Sequence, residues 1–302
     1  MTARTGHPER GLTPALVAAI GVAVIWGVNV PVMKAGLHEV DPFFFNAARL
    51  TLSAVALGLM EAVERRGRPA VETPWRKVVA LGLLSSLAYQ VLFLLGMDAT
   101  SAGNTAIIVA SGPLWTALLE SVMGVDRHPG RAWWALGVAF VGTLLVTLTG
   151  IDDPSGSASL FGNLVMLAAM GTWALATVLS RPLLETFPAT RLAFLAVLIS
   201  LPGHWALALP GLDLSGVDRP GFVAATVAYS GLLSTGVAYS LWNRSVKDLG
   251  AARTAAFSNL VPVVALAVAW AFLAEVPRPL QLTGGALVVT GLLMWRSVRS
   301  RT

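Results

Sequence analysis

Polar and aromatic residues recur near the middle of long apolar segments of this chain. Trp26 and Asn29 lie one helical turn apart in one segment, and Trp173 and Thr177 stand at i and i+4 in another. A polar side chain in hydrocarbon is costly unless it faces a cavity or another polar group. Such residues could therefore line a cavity for a small molecule. The candidate substrate-binding residues are Trp26, Asn29, Tyr89, Gln90, Ser111, Trp115, Trp173, Thr177, Tyr239 and Ser258.

Each of these candidates also has a purely structural explanation. The tryptophans could serve core packing, and Asn29 could join two helices through a hydrogen bond. Pro113 and Pro262 are predicted to kink the middle of their helices, because proline lacks an N–H and clashes with the carbonyl four residues earlier. The freed carbonyls could bind an ammonium or hydroxyl group, and a kink used only for packing is the alternative.

Two cations, Lys34 and Arg49, are expected within the membrane or near the side opposite the N-terminus. They could extend to the membrane surface. Alternatively, they could form an outer gate or attract a substrate carboxylate. His204, beside Pro202 and Gly203, is expected to mark a broken helix on the same side. Glu120, near the other end of its segment, is expected to be a solvated anchor or a partner of Lys or Arg.

The sequence offers no set of residues suited to catalysis. It contains no cysteine, which excludes disulfides and thiol chemistry. Its four histidines are scattered without a helix-face pair suited to a metal, and we find no phosphate-binding glycine loop and no nucleophile elbow. Neither an enzyme nor a cofactor or metal is therefore predicted. No Asp or Glu lies near the middle of an apolar segment, and we hypothesise a facilitator driven by the substrate gradient.

The composition determines the fold class. Apolar residues make up 55% of the chain and charged residues 12%, about half the charge of an ordinary soluble domain. A spanning helix needs about 20 mostly apolar residues, and the runs here are too long and continuous for membrane-barrel strands. An all-α integral membrane protein is predicted. Its ten segments are about 15–36, 43–63, 76–97, 103–123, 131–149, 159–180, 191–210, 221–243, 252–274 and 279–296.

Lys and Arg are distributed unevenly over the connections between these segments. With the N-terminus in the cytoplasm, 17 of the 21 Lys and Arg residues fall on the cytoplasmic side. Such a bias sets the orientation of membrane proteins. Both termini are therefore expected in the cytoplasm, and a bacterial inner (plasma) membrane is the expected location. The same bias accounts for the net charge of +5 without a nucleic-acid partner.

One stretch of the chain occurs twice. Gly82 to Ser85 recur as Gly231 to Ser234, 149 residues later, and Pro113 recurs as Pro262 at the same spacing. This spacing is close to half of the 302 residues, which indicates a duplication into residues 1–150 and 151–302. Five helices per half is an odd number, so the halves should cross the membrane in opposite directions. Inverted repeats of this kind are typical of transporters.

The segments WGVNVPVMKAGL and DPFFFNAARLTLSAVAL resemble the start of an EamA-type repeat of the drug/metabolite transporter superfamily. The last third, from AYSLWN through NLVPVVALAVAWAFLAEVPRPLQLTGGALVVTG, resembles its second repeat. The resemblance covers nearly the whole chain and implies a ten-helix, inverted-repeat carrier, nearest the exporters of aromatic and neutral amino acids. Ala174 and Ala176 stand where Gly27 and Asn29 stand in the first repeat, so an asymmetric site is expected. The matching residues are Trp26, Gly27, Asn29, Lys34, Pro42, Arg49, Tyr239, Trp242, Pro262, Glu275, Gly284, Gly285 and Gly291.

The expected function is secondary export of aromatic or neutral amino acids and related small metabolites by alternating access. A small-molecule substrate and the lipid bilayer are the expected partners, and the chain could act as a monomer. A carrier of nucleotide sugars or other phosphorylated metabolites from the same superfamily is the alternative. Such a carrier would need two or more cations inside its cavity, and only Lys34 and Arg49 are candidates.

Overall fold

The computed structural model describes residues 13–37, 39–67, 71–99, 108–109, 111–148, 160–212, 216–273 and 279–297, and these are helical with no strand among them. The helices are α1 (Pro14–Leu37), α2 (Pro42–Arg65), α3 (Trp75–Gly82), α4 (Tyr89–Ala99), α5 (Gly112–Val122), α6 (Gly130–Leu148), α7 (Leu160–Leu184), α8 (Ala189–Ala208), α9 (Pro220–Ala228), α10 (Ala238–Leu249), α11 (Ala251–Ala256), α12 (Leu260–Leu273) and α13 (Pro279–Ser297). The predicted all-helical class is confirmed. The predicted division at residue 150 falls outside the described residues.

Six helices within the described residues are long and apolar enough to cross a membrane. They are Pro14–Met33, Pro42–Arg65, Trp75–Gly96, Phe161–Leu184, Ala189–Gly211 and Pro220–Leu249. The other four predicted segments contain the shorter helices α5, α6, α11 with α12, and α13. Ten crossing helices therefore remain a prediction.

Two long helices contain a π-helical segment, in which the backbone turn is one residue wider than in an α-helix. Leu83–Ala88 joins α3 to α4, and Tyr229–Val237 joins α9 to α10. Both segments overlap the Gly-Leu-Leu-Ser sequence that occurs twice in the chain. Such wide turns interrupt the regular hydrogen-bond ladder and are frequent at functional sites. The repeated sequence thus places irregular backbone in the middle of the bundle.

Helices that correspond in the predicted repeat pack against each other in opposite directions. On α2 and α8, Trp205 donates from Nε1 to the Thr51 hydroxyl at 3.1 Å, and further along Thr190 donates to Glu64 at 3.0 Å. Residue numbers therefore rise on one helix as they fall on the other. α6 and α13 are also in contact, with the backbone of Gly142 close to Gly284. In the predicted repeat α1 corresponds to α7, and α4 corresponds to α10. Accordingly, α4 packs on α7, and α10 packs on α1.

Hydrogen bonds and ion pairs join the helices at one end of the bundle. This end, which we call the basic end, carries Arg76, Arg181, Arg191, Arg244 and Lys247. Glu120 is a partner of Arg181, at 3.3 Å, and is 1% exposed rather than solvated. Its carboxylate also accepts from the first backbone N–H groups of α11, at Ala251 and Ala252, at 3.1 and 3.2 Å. A carboxylate there satisfies N–H groups that the helix leaves unpaired.

The prediction of a broken helix at His204 is wrong, because α8 continues from Ala189 to Ala208 through Pro202. Proline is tolerated in such helices where neighbouring groups satisfy the backbone. His204 is buried and joins two other helices. Its Nε2 lies 2.8 Å from the Ser86 carbonyl oxygen, and its Nδ1 lies 3.1 Å from Asn46 Nδ2. A carbonyl can only accept, so Nε2 carries the proton and Nδ1 accepts from Asn46.

Candidate substrate site

Five aromatic side chains from four helices meet in the middle of the bundle. The ring of Trp26 on α1 lies 5.9 Å from Trp173 on α7 and 5.1 Å from Trp242 on α10, between ring centroids. Tyr89 on α4 lies 4.8 Å from Trp173, and Tyr239 on α10 lies 5.8 Å from it. This aromatic cluster (Trp26, Tyr89, Trp173, Tyr239 and Trp242) brings four of the predicted site residues together and adds Trp242.

A cavity lies against the aromatic cluster on the side of the basic end. Ser180, Leu192 and Asn243 line it, and each is a chain neighbour of an arginine at that end. The full lining consists of Leu81, Ser85, Trp173, Ala176, Thr177, Ser180, Leu192, Ala193, Ala196, Tyr239, Trp242 and Asn243. These side chains offer rings, hydroxyls and one amide, and none of them is charged. The chemistry of this lining therefore matches an apolar or aromatic group with a few neutral polar contacts.

The opposite side of the aromatic cluster is closed by apolar side chains. Phe45 on α2, Leu94 on α4 and Val227 on α9 are buried in one group with Met33, Val40 and Val223. These six residues, which we call the apolar seal, lie toward the end where Arg219 pairs with Glu39. The bundle thus has a cavity toward the basic end and a packed interior toward the other end.

Arg49 points into the bundle instead of extending to its surface, and its side chain is 4% exposed. Its Nε donates to Asn46 Oδ1 at 2.9 Å, its Nη1 to the Thr235 hydroxyl at 2.8 Å, and its Nη2 to Gln90 Oε1 at 2.7 Å. All three acceptors are neutral. Among the described residues, no carboxylate forms an ion pair with Arg49. The interior therefore holds a positive charge that only neutral groups solvate.

Gln90 connects this cation to the aromatic cluster. While its amide oxygen accepts from Arg49, its Nε2 donates to the Tyr239 hydroxyl at 2.8 Å. The two residues are 149 positions apart in sequence, which is the spacing of the repeat. They therefore occupy corresponding positions of the predicted repeat.

Trp26 and Asn29 attach α1 to the second π-helical segment. The Trp26 Nε1 donates to the Ser234 carbonyl oxygen at 2.9 Å, and the Ser230 hydroxyl donates to Asn29 Oδ1 at 2.7 Å. The Ser234 carbonyl in this π-helical segment thus accepts a hydrogen bond from the Trp26 indole. Asn29 is 9% exposed, and its bond to Ser230 joins two helices. Such a bond is the structural alternative to a role in substrate binding.

Three predicted site residues, Ser111, Trp115 and Ser258, belong neither to the cavity lining nor to the aromatic cluster. Trp115 is 37% exposed and donates to Ser111 on the preceding turn, at 3.1 Å. The Ser258 hydroxyl donates to the Ala255 carbonyl within its own helical region, at 2.6 Å. Thr177, in contrast, lines the cavity. The side chain of Lys34 lies outside the described part of the structure.

The two prolines lie near the start of helices rather than in the middle of regular ones. Pro113 is the second residue of α5. Pro262 is the third residue of α12, which follows a 3₁₀ turn over Phe257–Asn259. The proline ring is tolerated in a first turn, where its missing N–H would have no partner. A turn at Ser111 precedes Pro113 and a 3₁₀ turn precedes Pro262, and Ser111, Trp115 and Ser258 are not among the residues that line the cavity.

Several residues of the site escaped the sequence analysis. Trp242 stands at i+3 from Tyr239, a spacing that places both on one helix face. This spacing could have identified Trp242 as a neighbour of Tyr239 in the site. Ser85 belongs to the repeated Gly-Leu-Leu-Ser sequence and could also have been found. Asn46 and Thr235 are single polar residues whose direction depends on the rotation of their helices, and nothing in the sequence specifies that rotation.

Comparison with known proteins identifies the family of this chain. The model of the EamA-like transporter family matches residues 13–148 and again residues 160–296. A probable terminal-alkyne amino-acid exporter of Streptantibioticus cattleyicolor is 29% identical over 290 residues, covering 94% of this chain and 93% of that protein. A probable amino-acid metabolite efflux pump of Escherichia coli is 26% identical, covering 93% of this chain and 96% of the other.

A solved structure extends the comparison to the whole fold. A protein described only as "Crystal structure of protein" superposes with a TM-score of 0.81 at 16% sequence identity, covering 96% of this chain and 100% of the other. At this identity the likeness concerns the fold alone. The two family matches together span most of the chain, and the curated relatives are named as transporters. The protein is therefore a membrane transporter and not an enzyme, and it belongs to the EamA-like transporter family.

Proposed function

We propose that the protein is a secondary transporter that exports aromatic or neutral amino acids and related small metabolites by alternating access. The observation that carries this proposal is the uncharged cavity beside the aromatic cluster, with Thr177, Ser85 and Asn243 as neutral polar contacts. An aromatic or apolar side chain fits the rings, and hydroxyl and amide groups can hold its polar part. The relatives named as amino-acid exporters support the same substrate class.

The proposed mechanism uses the two halves, residues 1–150 and 151–302, as inverted five-helix repeats. The antiparallel packing of α2 on α8 supports this, because these helices are counterparts. Two copies of one fold in opposite orientations can exchange conformations, which opens a central site to each side in turn. The proposed orientation places the basic end and both termini in the cytoplasm of a bacterial cell, with the chain acting as a monomer.

The alternative, a carrier of phosphorylated metabolites, is less well supported by the cavity. A phosphate group calls for two or more cations, and the cavity lining contains neither Lys nor Arg. Arg49 is bonded to Gln90 and is not among the residues that line the cavity. We propose for Arg49, and for Lys34, the role of gating or of attracting an anionic group.

Uptake of radiolabelled amino acids into proteoliposomes tests the proposal. An aromatic ring contributes about 2–3 kcal/mol when a ligand buries it, so Trp26→Ala, Tyr89→Ala and Trp173→Ala should each reduce uptake at least about tenfold. Trp134→Ala is the matched control, because this tryptophan is 75% exposed on the outside of the bundle. Unchanged uptake in all three cluster variants would contradict the assigned site.

The energy source is a separate part of the proposal. No Asp or Glu is among the described residues that line the cavity or bond to Arg49. The buried Glu120 lies at the basic end, where it joins two helices. We therefore propose facilitated transport down the substrate gradient. In proteoliposomes an imposed pH gradient alone should leave the equilibrium distribution of substrate unchanged. Uphill accumulation under that gradient would contradict facilitation.

A further inference from the structure

The two halves correspond residue by residue around the site. Gly82 packs on Ala196, so that an added Cβ would lie 3.1 Å from the Ala196 Cα. Gly231, the counterpart of Gly82, packs in the same way on the backbone of Arg49. Trp26 and Trp173 are 147 positions apart, and the same spacing separates Arg49 from Ala196. Arg49 therefore occupies in the first half the place that Ala196 occupies in the second.

The same correspondence links other cavity residues to a second set in the first half. Ala176 and Ala193 of the cavity correspond to Asn29 and Asn46 at the spacing of 147. Six polar residues correspond to the cavity residues Ala176, Ala193, Ala196, Tyr239, Leu81 and Ser85. These six, which we call the mirror set, are Asn29, Asn46, Arg49, Gln90, Ser230 and Ser234.

The mirror set is closed in this conformation. Its members are 9% exposed or less, and they bond to one another, as in Ser230 to Asn29 at 2.7 Å and Arg49 to Asn46 at 2.9 Å. The polar atoms that would face an opening are thus paired internally. Around the cavity, small alanine side chains stand at the corresponding places and leave space.

We propose that the mirror set lines a second binding site, which opens when the two halves exchange conformations, and that Arg49 binds a carboxylate there. This inference rests on the proposed function, because the exchange of conformations is what moves the opening from one set to the other. One guanidinium flanked by two amides suits a single carboxylate, which it can bind through two parallel hydrogen bonds. The carboxylate replaces the Gln90 amide oxygen on Nη2 and releases Gln90 from Arg49.

A substrate with a carboxylate and an aromatic or apolar group would then meet different chemistry from the two sides. From the basic end it meets an uncharged wall, and from the other end it meets a wall with a cation. The difference originates in three positions, Asn29, Asn46 and Arg49, where the second half has alanine. The aromatic cluster is shared by both openings, because Trp26 and Trp173 are counterparts and both belong to it.

Thiol labelling can test this site without knowledge of the substrate, since the chain contains no cysteine. Ser85→Cys places a thiol in the cavity, and Ser234→Cys places one at the corresponding position of the mirror set. Each variant is treated in proteoliposomes with anionic and cationic methanethiosulfonates of similar size, added to one face or the other. The amino-acid panel is present during the reaction to promote turnover.

We expect Ser85→Cys to react from the face of the basic end at similar rates with both reagents. Ser234→Cys should react from the opposite face, and the anionic reagent should react about tenfold faster because the buried cation raises its local concentration. Arg49→Gln should remove this preference, while Arg49→Lys should retain most of it. The unchanged rate at Ser85→Cys in the same Arg49 variants checks that they fold.

Lack of reaction at Ser234→Cys from either face while amino acids are transported would overturn the second site and leave the proposed function intact. A preference for the anionic reagent that persists in Arg49→Gln would overturn the role of Arg49. Conversely, anion-selective reaction at Ser234→Cys in a protein that transports none of the amino acids would support the second site and contradict the proposed substrates.

Discussion

Gly82 packs closely on the backbone of Ala196, and Gly231 packs closely on the backbone of Arg49. The two contacts are alike, but the side chains around them differ. Around Ala196 small side chains leave a cavity, whereas around Arg49 larger polar groups fill the corresponding space. The helices and their π-helical segments are alike in both places. The difference teaches that the duplicated backbone has been kept while the chemistry of the two faces of the site has diverged.

The largest expected effect concerns the glycines themselves. Gly231→Ala should destabilise the protein by about 3 kcal/mol, since the added methyl meets the Arg49 carbonyl and the Leu52 Cβ, and backbone cannot move aside cheaply. Gly82→Ala should cost about 1 kcal/mol, because its nearest contacts are 3.1 and 3.2 Å away. Reversible unfolding in mixed detergent micelles, followed by tryptophan fluorescence, measures both.

Gly137→Ala provides the control, because nothing lies within 4 Å of its added methyl. It should leave stability unchanged or raise it slightly through helix propensity. Equal losses at Gly82 and Gly231 would show that the two contacts are equally tight and would remove the basis of the comparison.

The next effect concerns the hydroxyl groups at corresponding positions of the π-helical segments. Thr235→Val removes the acceptor for Arg49 Nη1 at 2.8 Å and should cost about 2 kcal/mol, because the lost bond involves a buried charge. Ser86→Ala, the matched change, removes a bond with the Ser200 hydroxyl at 3.0 Å and should cost about 1 kcal/mol. The same unfolding measurement compares them, and a larger loss at Ser86 would contradict the assigned importance of Arg49.

The smallest effect is expected at the bond between the two halves, from Gln90 to Tyr239. Gln90→Leu and Tyr239→Phe, alone and together, form a double-mutant cycle for this bond. A coupling free energy of about 1 kcal/mol is expected for a neutral hydrogen bond. Coupling near zero would mean that this bond does not hold the halves together.

Much of the fold and part of the site could be predicted from the sequence, for identifiable reasons. Long apolar runs indicate membrane helices because hydrocarbon requires every backbone group to be satisfied within the segment. Trp26, Tyr89, Trp173 and Tyr239 could be chosen because large amphipathic rings at the middle of such helices are unusual there. Their association in one cluster agrees with that choice.

The remaining features depend on helix rotation and on irregular backbone, which the sequence pattern does not reveal. Arg49 could extend outward or point inward, and hydrogen bonds to Asn46, Thr235 and Gln90 hold its side chain inside the bundle. Ser258 was placed by counting residues along a regular helix, but the 3₁₀ turn before Pro262 changes the phase of that count. His204 suggested a broken helix, whereas its bonds to Asn46 and Ser86 stabilise a continuous one.

The central claim is that the cavity at the basic end closes when the mirror set opens. Pairs of spin labels can test it directly, one pair across the basic end at Arg76 and Lys247, the other near the apolar seal at Leu95 and Ala225, all exposed positions. Electron–electron double resonance in lipid nanodiscs, with and without transported amino acid, reports both distances. The account predicts that the first distance shortens as the second lengthens. Distances that change in the same direction, or that stay fixed in a protein that transports, would contradict it.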